Sequence, residues 1–325
     1  MLVKATMKEV AELAGVGVGT VSRVVNGVKV KDSTLKKVEE AIKELNYQPD
    51  EYARGLKTNR SNIIALIIPT IWHPFFSEFA YHVEKELAKR RYKLFICNAE
   101  EDGQKEFEYL QMLEKNKVDG IIGITYSDID QYVSSNLPFV SIDRHFSEKI
   151  PYVTSDNYGG GKLAAEVLMA KGATRFAYIG GTNQFENETV LRKVGFSETL
   201  QKHGLVVKKL DMLEPIDNLH DKIEKFLIDN PDIDGIFTVN DFMATNVIKV
   251  SQRLNRYAPK DYQIIGFDGL KSAVDQNYYV STIAQPIELM AKESVELLMR
   301  VIENNVEETR IVLPIRFEDG GTTKV

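Results

Sequence analysis

Apolar and polar positions along this 325-residue chain change their period near residue 62. In residues 6–26, TMKEVAELAGVGVGTVSRVVN, Val10, Leu13 and Ala14 recur at helical spacing. Val16 bridges a gap, and Val21, Val24 and Val25 resume the apolar face. Gly15 falls where a first helix must stop, and glycine tolerates the left-handed backbone of such a stop. Thr20, Ser22, Arg23 and Asn26 fall largely on the other side, which carries few acids. The pattern predicts two short helices joined by a tight turn. Ser33, Lys36 and Lys37 then open a third helix, with Leu35, Val38, Ile42 and Leu45 on one face and Tyr47 and Pro49 at its end. Asp50 is a plausible cap for one further turn, but that segment contains Gly55 and is too short to persist alone in water.

Beyond residue 62 the run IIALIIPT (63–70) is continuously apolar, as in a strand buried on both faces of a parallel sheet. A helix over 74–91 follows, and strands and helices then alternate. Strands are predicted at 93–100, 120–125, 137–143, 151–156, 175–181, 206–212, 235–240, 262–268 and 281–286. Helices are predicted at 104–117, 160–171, 191–203, 220–229, 241–254 and 287–304, with a short one after 125 and one last strand over 308–318. Such alternation argues for right-handed βαβ units and open, doubly wound sheets. Ligands bind such sheets beyond the carboxyl ends of the strands. Asp143, Asn240, Asp241 and Asp268 stand there, and Arg192 opens a helix after the YIGG strand.

Composition narrows the class. The net charge is −6 with 27% charged residues, and the mildly basic first sixty residues precede an acidic remainder. That split fits a protein touching nucleic acid at one end only. A single cysteine, Cys97, excludes an internal disulfide framework. No run of ~18 apolar residues and no signal-type apolar core is present, so a cytoplasmic protein without a membrane partner is expected.

The stretch VAELAGVGVGTVSRVVNG closely resembles the DNA-binding head of the lactose-repressor family. The resemblance continues through HPFF (73–76), KVDGII (117–122), SDNYGGGKLAA (155–165), LRKVGF (191–196), VNDFMA (239–244) and IIGFDG (264–269). It implies an all-α helix-turn-helix head over 1–49, a hinge over 50–60 and an α/β core over 61–325. The implied core is two-lobed and periplasmic-binding-protein-like, with doubly wound parallel sheets. Lobe one is expected at about 61–157 and 287–317, and lobe two at about 158–286 and 318–325.

By the same resemblance, the second helix enters the major groove with Val18, Gly19 and Arg23 at base edges. Arg23 could grip a guanine and Val18 a thymine methyl, while Thr6, Thr20, Ser22 and Asn26 look like phosphate or register contacts. Tyr52, Ala53 and Leu56 belong to the hinge, where Leu56 matches the residue that wedges between the central base pairs of the operator. Gly17 replaces a serine cap frequent in relatives, and Gly19 lies inside the second helix at a cost of roughly 1 kcal/mol against alanine. The effector positions of the family match Asp143, Arg192, Asn240 and Asp268, with Phe75 and Phe76 as aromatic walls. Carboxylates, a guanidinium and an amide suit the paired hydroxyls of a sugar, and rings cover its apolar face. SIDRHFSEKIPYVTSDNYGGGKLAAEVL is most like repressors of sucrose and related oligosaccharide operons, with Arg144 directly after Asp143. A glutamate, Glu186 or Glu188, stands where purine-responsive relatives have basic or neutral residues, which argues against a purine.

Other chemistries fit less well. Gly159-Gly160-Gly161 could cradle phosphate but is not GxGxxG. His73, His82, His145, His203 and His220 lack metal-ligand spacing. No nucleophile–base set is discernible, so an enzyme and a cofactor are not expected. Trp72 reads as core packing or as a cleft wall. A transport receptor would need a signal peptide and no head. The expected function is a homodimeric transcriptional repressor on a pseudo-palindromic DNA operator, controlling carbohydrate use. A sugar or sugar-phosphate effector would release it, and corepression is the alternative polarity. The chain carries no leucine-repeat tail of the tetrameric relatives, so a dimer is expected.

Overall fold

Thr6 starts the first helix through a reciprocal cap. Its Oγ1 accepts the Glu9 N–H at 3.3 Å, and Glu9 Oε2 accepts the Thr6 N–H at 2.7 Å. The structure is a computed structural model. It describes residues 5–25, 28–47, 60–100, 102–129, 133, 137–146, 150–183, 185, 187–271, 276–306 and 309–325. Asn26, Tyr52, Ala53, Leu56 and Glu186 lie outside the described residues, as does much of the short helix expected after 125. The chain divides into two units, Met1–Ser61 and Asn62–Val325.

The first unit holds α1 (Met7–Ala14), α2 (Val18–Val25) and α3 (Asp32–Glu44). Gly15 ends α1 at φ 62°, with its N–H on Ala11 O and Glu12 O, as the sequence predicted. The Gly17 carbonyl accepts Thr20 N–H at 2.8 Å and Val21 N–H at 3.3 Å, so Gly17 itself opens α2. Lys31, not Ser33, precedes α3, and its side chain makes no capping bond. Val10, Ala11, Ala14, Val21, Val38, Ala41 and Tyr47 form the core. Burying a valine such as Val21 is worth about 1.5–3 kcal/mol. Leu13 corrects the predicted face of α1: it is 46% exposed, and Ala11 is buried instead.

The second unit starts with β1 (Ile63–Ile68), α4 (Pro74–Lys89), β2 (Lys93–Asn98), α5 (Gly103–Lys115), β3 (Gly120–Gly123), β4 (Phe139–Ile142) and β5 (Tyr152–Ser155). The chain then crosses into α6 (Asn157–Ala170), β6 (Phe176–Thr182), α7 (Val190–Lys202), β7 (Val207–Leu213), α8 (Leu219–Asp229), β8 (Gly235–Thr238), α9 (Asp241–Arg253), β9 (Gln263–Asp268) and β10 (Thr282–Ala284). It returns for α10 (Ile287–Ile302) and β11 (Arg310–Leu313), and crosses once more into β12 (Arg316–Glu318). The strand orders are β11-β5-β4-β3-β1-β2 and β12-β10-β9-β8-β6-β7. Every pairing is parallel except β10 with β12.

β1 is buried at all but its first residue, as its unbroken apolar run required. The single strand expected over 308–318 is two strands in different sheets. Pro314, between them, has no N–H to give to a ladder. The last crossing therefore lies at 314–315 rather than after 317. Each sheet has its own core, and Leu270, from the loop after β9, is buried with the first sheet's residues.

The triple glycine in α6 is a packing device. A Cβ on Gly161 would lie 1.9 Å from Arg192 O, and one on Gly160 would lie 2.5 Å from the Phe267 ring. Gly195 on α7 repays the contact, since its Cβ would lie 2.1 Å from Tyr158 O. Only glycine permits this approach, which seats Arg192. Gly161→Ala should therefore destabilise the core unit by about 1–3 kcal/mol or more. Urea denaturation checks this, and unchanged stability would show that the helices do not meet so closely. Gly19, by contrast, faces open space, so Gly19→Ala should stabilise the head by up to about 1 kcal/mol.

Candidate functional site

Strand ends of both sheets converge on one cavity of about 350 Å³ in the second unit. Thr70, Trp72 and His73 follow β1, Asp143 follows β4, and Asn183 follows β6. Asn240 follows β8, Asp268 closes β9, and Gln285 follows β10. Both lobes supply walls, as expected where two doubly wound sheets present their carboxyl edges to each other.

Arg192 forms the floor. It is 3% exposed, so its charge needs partners on every side. Its Nε donates to Asn157 Oδ1 at 2.7 Å, and its Nη1 donates to Val239 O at 2.7 Å and Asp268 Oδ1 at 3.4 Å. The guanidinium also lies 3.7 Å above the Phe267 ring. Gln285 Nε2 donates to the same Asp268 oxygen at 2.8 Å, while Gln285 Oε1 is buried without a partner among the described residues.

The two cleft acids sit on bent backbone, at φ 53° for Asp143 and φ 114° for Asp268. Asp143 Oδ1 accepts the Thr154 hydroxyl at 2.6 Å. Burial pushes Asp268 up to about 7, against the opposing pull of Arg192. Burial and the Asp268 charge push Asp241 well above the carboxylate range. Asp241 Oδ2 accepts the N–H groups of Gly269 at 2.9 Å and Leu270 at 2.8 Å, bracing the turn that carries Asp268. Asn240 caps α9, its Oδ1 accepting Met243 N–H at 2.8 Å.

The aromatic residues divide into wall and lip. Phe75 and Phe76 line the cavity but are largely buried, packed edge to face at 5.5 Å. His73 Nδ1 accepts the Phe75 N–H at 3.3 Å. Burial, helped by Arg192, pushes this imidazole down to about 4, so it is neutral and carries its proton on Nε2. Trp72 is 90% exposed and lines the cavity mouth, so it is a cleft wall and not core packing.

Of the expected effector residues, Phe75, Phe76, Asp143, Arg192, Asn240 and Asp268 all border this cavity. Arg144 does not. Its Nη1 donates to Ser127 O at 2.6 Å, and its guanidinium lies 4.5 Å over Phe146. Tyr126, Glu214 and Gln285 line the cavity and were not anticipated. Glu214 and Gln285 each directly follow a strand, so the strand-end rule applied to every strand would have found them.

In the head, Val18, Gly19 and Arg23 are exposed on α2, and Thr20 and Ser22 are half-buried. The Thr6 hydroxyl is engaged with Glu9 at 2.9 Å. Among the described residues no His, Cys, Asp and Glu group could hold a metal ion, and no helix is long and apolar enough to cross a membrane.

Comparisons with known proteins agree with this division. Residues 6–50 match the family of bacterial regulatory proteins of lacI type. Residues 61–318 match the model of periplasmic binding proteins and the sugar-binding domain of the LacI family. The chain is 35% identical to the sucrose operon repressor of Streptococcus mutans, over 97% of this chain and 98% of that one. It is 36% identical to the ribose operon repressor of Halalkalibacterium halodurans, over 98% and 97% of the two chains. The lac repressor dimer bound to operator and the anti-inducer ONPF shares its fold, with a TM-score of 0.85 and 22% identity over 99% of this chain and 100% of that one.

The raised Asp268 sets a pH dependence. Its folded value lies above the unfolded one, so its contribution to stability is full below about pH 4 and is lost as pH rises through about 7. Asp268→Asn removes that loss. Relative to the parent, the variant should gain stability between about pH 5 and about pH 8, by at least about 1 kcal/mol in urea titrations. A pH-independent difference would place the Asp268 carboxyl in a far more polar setting.

Proposed function

This chain belongs to the lacI family of bacterial regulatory proteins, as a non-enzymatic DNA-binding transcriptional repressor, and we propose that it represses a carbohydrate-utilisation operon and leaves its operator when a sugar fills the cleft. The observation that carries this reading is the cavity floor itself: Arg192, Asp268, Asp143 and Asn240 between aromatic walls. Vicinal hydroxyls are paired donors and acceptors, and charged groups fixed in a buried site bind them with strong hydrogen bonds. The similar repressors of sucrose and ribose operons support a sugar and leave its size open.

Asp143 belongs to lobe one, whereas Arg192, Asn240 and Asp268 belong to lobe two. A ligand that bonds both sets favours whichever lobe arrangement lets it reach both at once. Arg144 shapes the same loop from behind Asp143. In the proposed complex a homodimer binds a pseudo-palindromic operator in the cytoplasm. Val18 and Arg23 meet base edges beside the bare Gly19, and Thr6, Thr20, Ser22 and Asn26 position the backbone. Tyr52, Ala53 and Leu56 act in the minor groove, Leu56 as the wedge. Linkage makes the coupling reciprocal: sugar weakens DNA binding only as far as DNA weakens sugar binding.

Gel-shift titration of palindromic duplexes, with and without a panel of sugars, tests the reading. One sugar should lower operator affinity at least about tenfold. A rise in affinity would indicate corepression, and indifference to all sugars would reject the proposal. Arg192→Ala should keep operator affinity and lose the response. Leu56→Ala should weaken operator binding at least about tenfold while sugar still raises the melting temperature. Equal loss of both activities would reject the wedge.

A further inference from the structure

Resting on the sugar reading of the cleft, we propose that its mouth is a second saccharide platform, with the effector an oligosaccharide of two or more units whose outer unit stacks on Trp72. Trp72 is the chain's only tryptophan and is 90% exposed. Its segment is nevertheless fixed. Trp72 N–H donates to Thr70 Oγ1 at 3.2 Å, Ile71 N–H donates to Asn98 Oδ1 at 2.8 Å, and the Ser77 hydroxyl donates to Ile71 O at 2.5 Å. His73 then caps α4. Backbone anchored on both sides thus holds a large apolar ring in water, at the edge of a polar cavity.

The opposite lip carries Phe242 on α9, 52% exposed and also lining the cavity. His73 spans the gap, its ring 5.6 Å from that of Phe242. Its Nε2 is buried with no partner among the described residues, and the neutral ring carries a proton there. The cleft therefore has two chemistries in series: charged groups on the floor, then a donor and two exposed rings at the lip. A pyranose or furanose has matching parts, a rim of hydroxyls and a face of C–H groups that packs on flat rings. One unit uses the floor, and a second, linked unit reaches the lip. The cavity of about 350 Å³ falls in the range that holds drug-sized ligands, more than one hexose needs.

Calorimetric titration of the full-length protein would compare glucose, fructose, galactose, xylose and ribose with sucrose, maltose, cellobiose and lactose. At least one disaccharide should bind about tenfold more tightly than its own component sugars, and should shift the emission of Trp72. Trp72→Ala should weaken that disaccharide about tenfold and its component sugars less than about twofold, and Trp72→Phe should restore most of the loss. Equal affinity for single and linked sugars, or a disaccharide indifferent to Trp72→Ala, overturns the platform and leaves the sugar-binding floor standing. Binding of no sugar of either size removes both. A Trp72→Ala protein with unchanged sugar binding and altered oligomeric state would make the indole a contact between copies, which also overturns the proposal.

Discussion

A single buried guanidinium organises the ligand-binding unit. Arg192 cannot be solvated, so four groups must come to it: a carboxamide, a backbone carbonyl, a carboxylate and a ring face. An isolated charge in such a place costs several kcal/mol, and truncating one partner of a buried pair is correspondingly severe. That demand fixes the spacing of α6, α7, β8 and β9 at once. It also explains the glycines of α6, because α7 must lie close enough to carry Arg192 to the strand ends. The same cluster holds Asp268 as an acceptor facing the cleft, on backbone bent away from the strand and braced by Asp241.

The site therefore combines stiffness in one lobe with incompleteness across two. Lobe two presents a pre-formed floor. Lobe one offers Asp143, tied to Thr154, and the aromatic wall of Phe75 and Phe76. A loop from lobe two already touches lobe one: Glu188 N–H donates to Asp143 O at 2.8 Å, and the Tyr152 hydroxyl donates to Glu188 Oε1 at 3.2 Å. These bonds bridge the two lobes at one side of the cleft.

Much of this was readable beforehand because burial leaves a period in the chain. β1 had to be a strand buried on both faces, and Gly15 had to end α1. The strand-end rule singled out Asp143, Asn240 and Asp268, and all three border the cavity. What escaped was set by geometry that no period encodes. Leu13 and Ala11 are both apolar positions of α1, and the three-helix core takes in Ala11 while Leu13 stays exposed. Arg144 follows Asp143 directly, yet its guanidinium is drawn away to Ser127 O and the Phe146 ring, partners that no spacing announces. The split of the last strand was signalled by Pro314, although not the fact that its halves serve different sheets. For Trp72 the sequence left core packing and cleft wall open, and its exposure beside the cavity selects the wall.

The three crossings between lobes carry a mechanical consequence. A single connection would let the lobes tumble, and two would still allow shear. Three tethers, at 155–157, 284–287 and 313–316, act like a piano hinge. They leave one soft coordinate, a swing about the line that joins them, and stiffen the rest. Under the proposed sugar response, binding of differently shaped molecules would be translated into displacement along that one direction. A scaffold of this kind can change the molecule it senses by altering a few side chains at the mouth while its mechanical output stays the same.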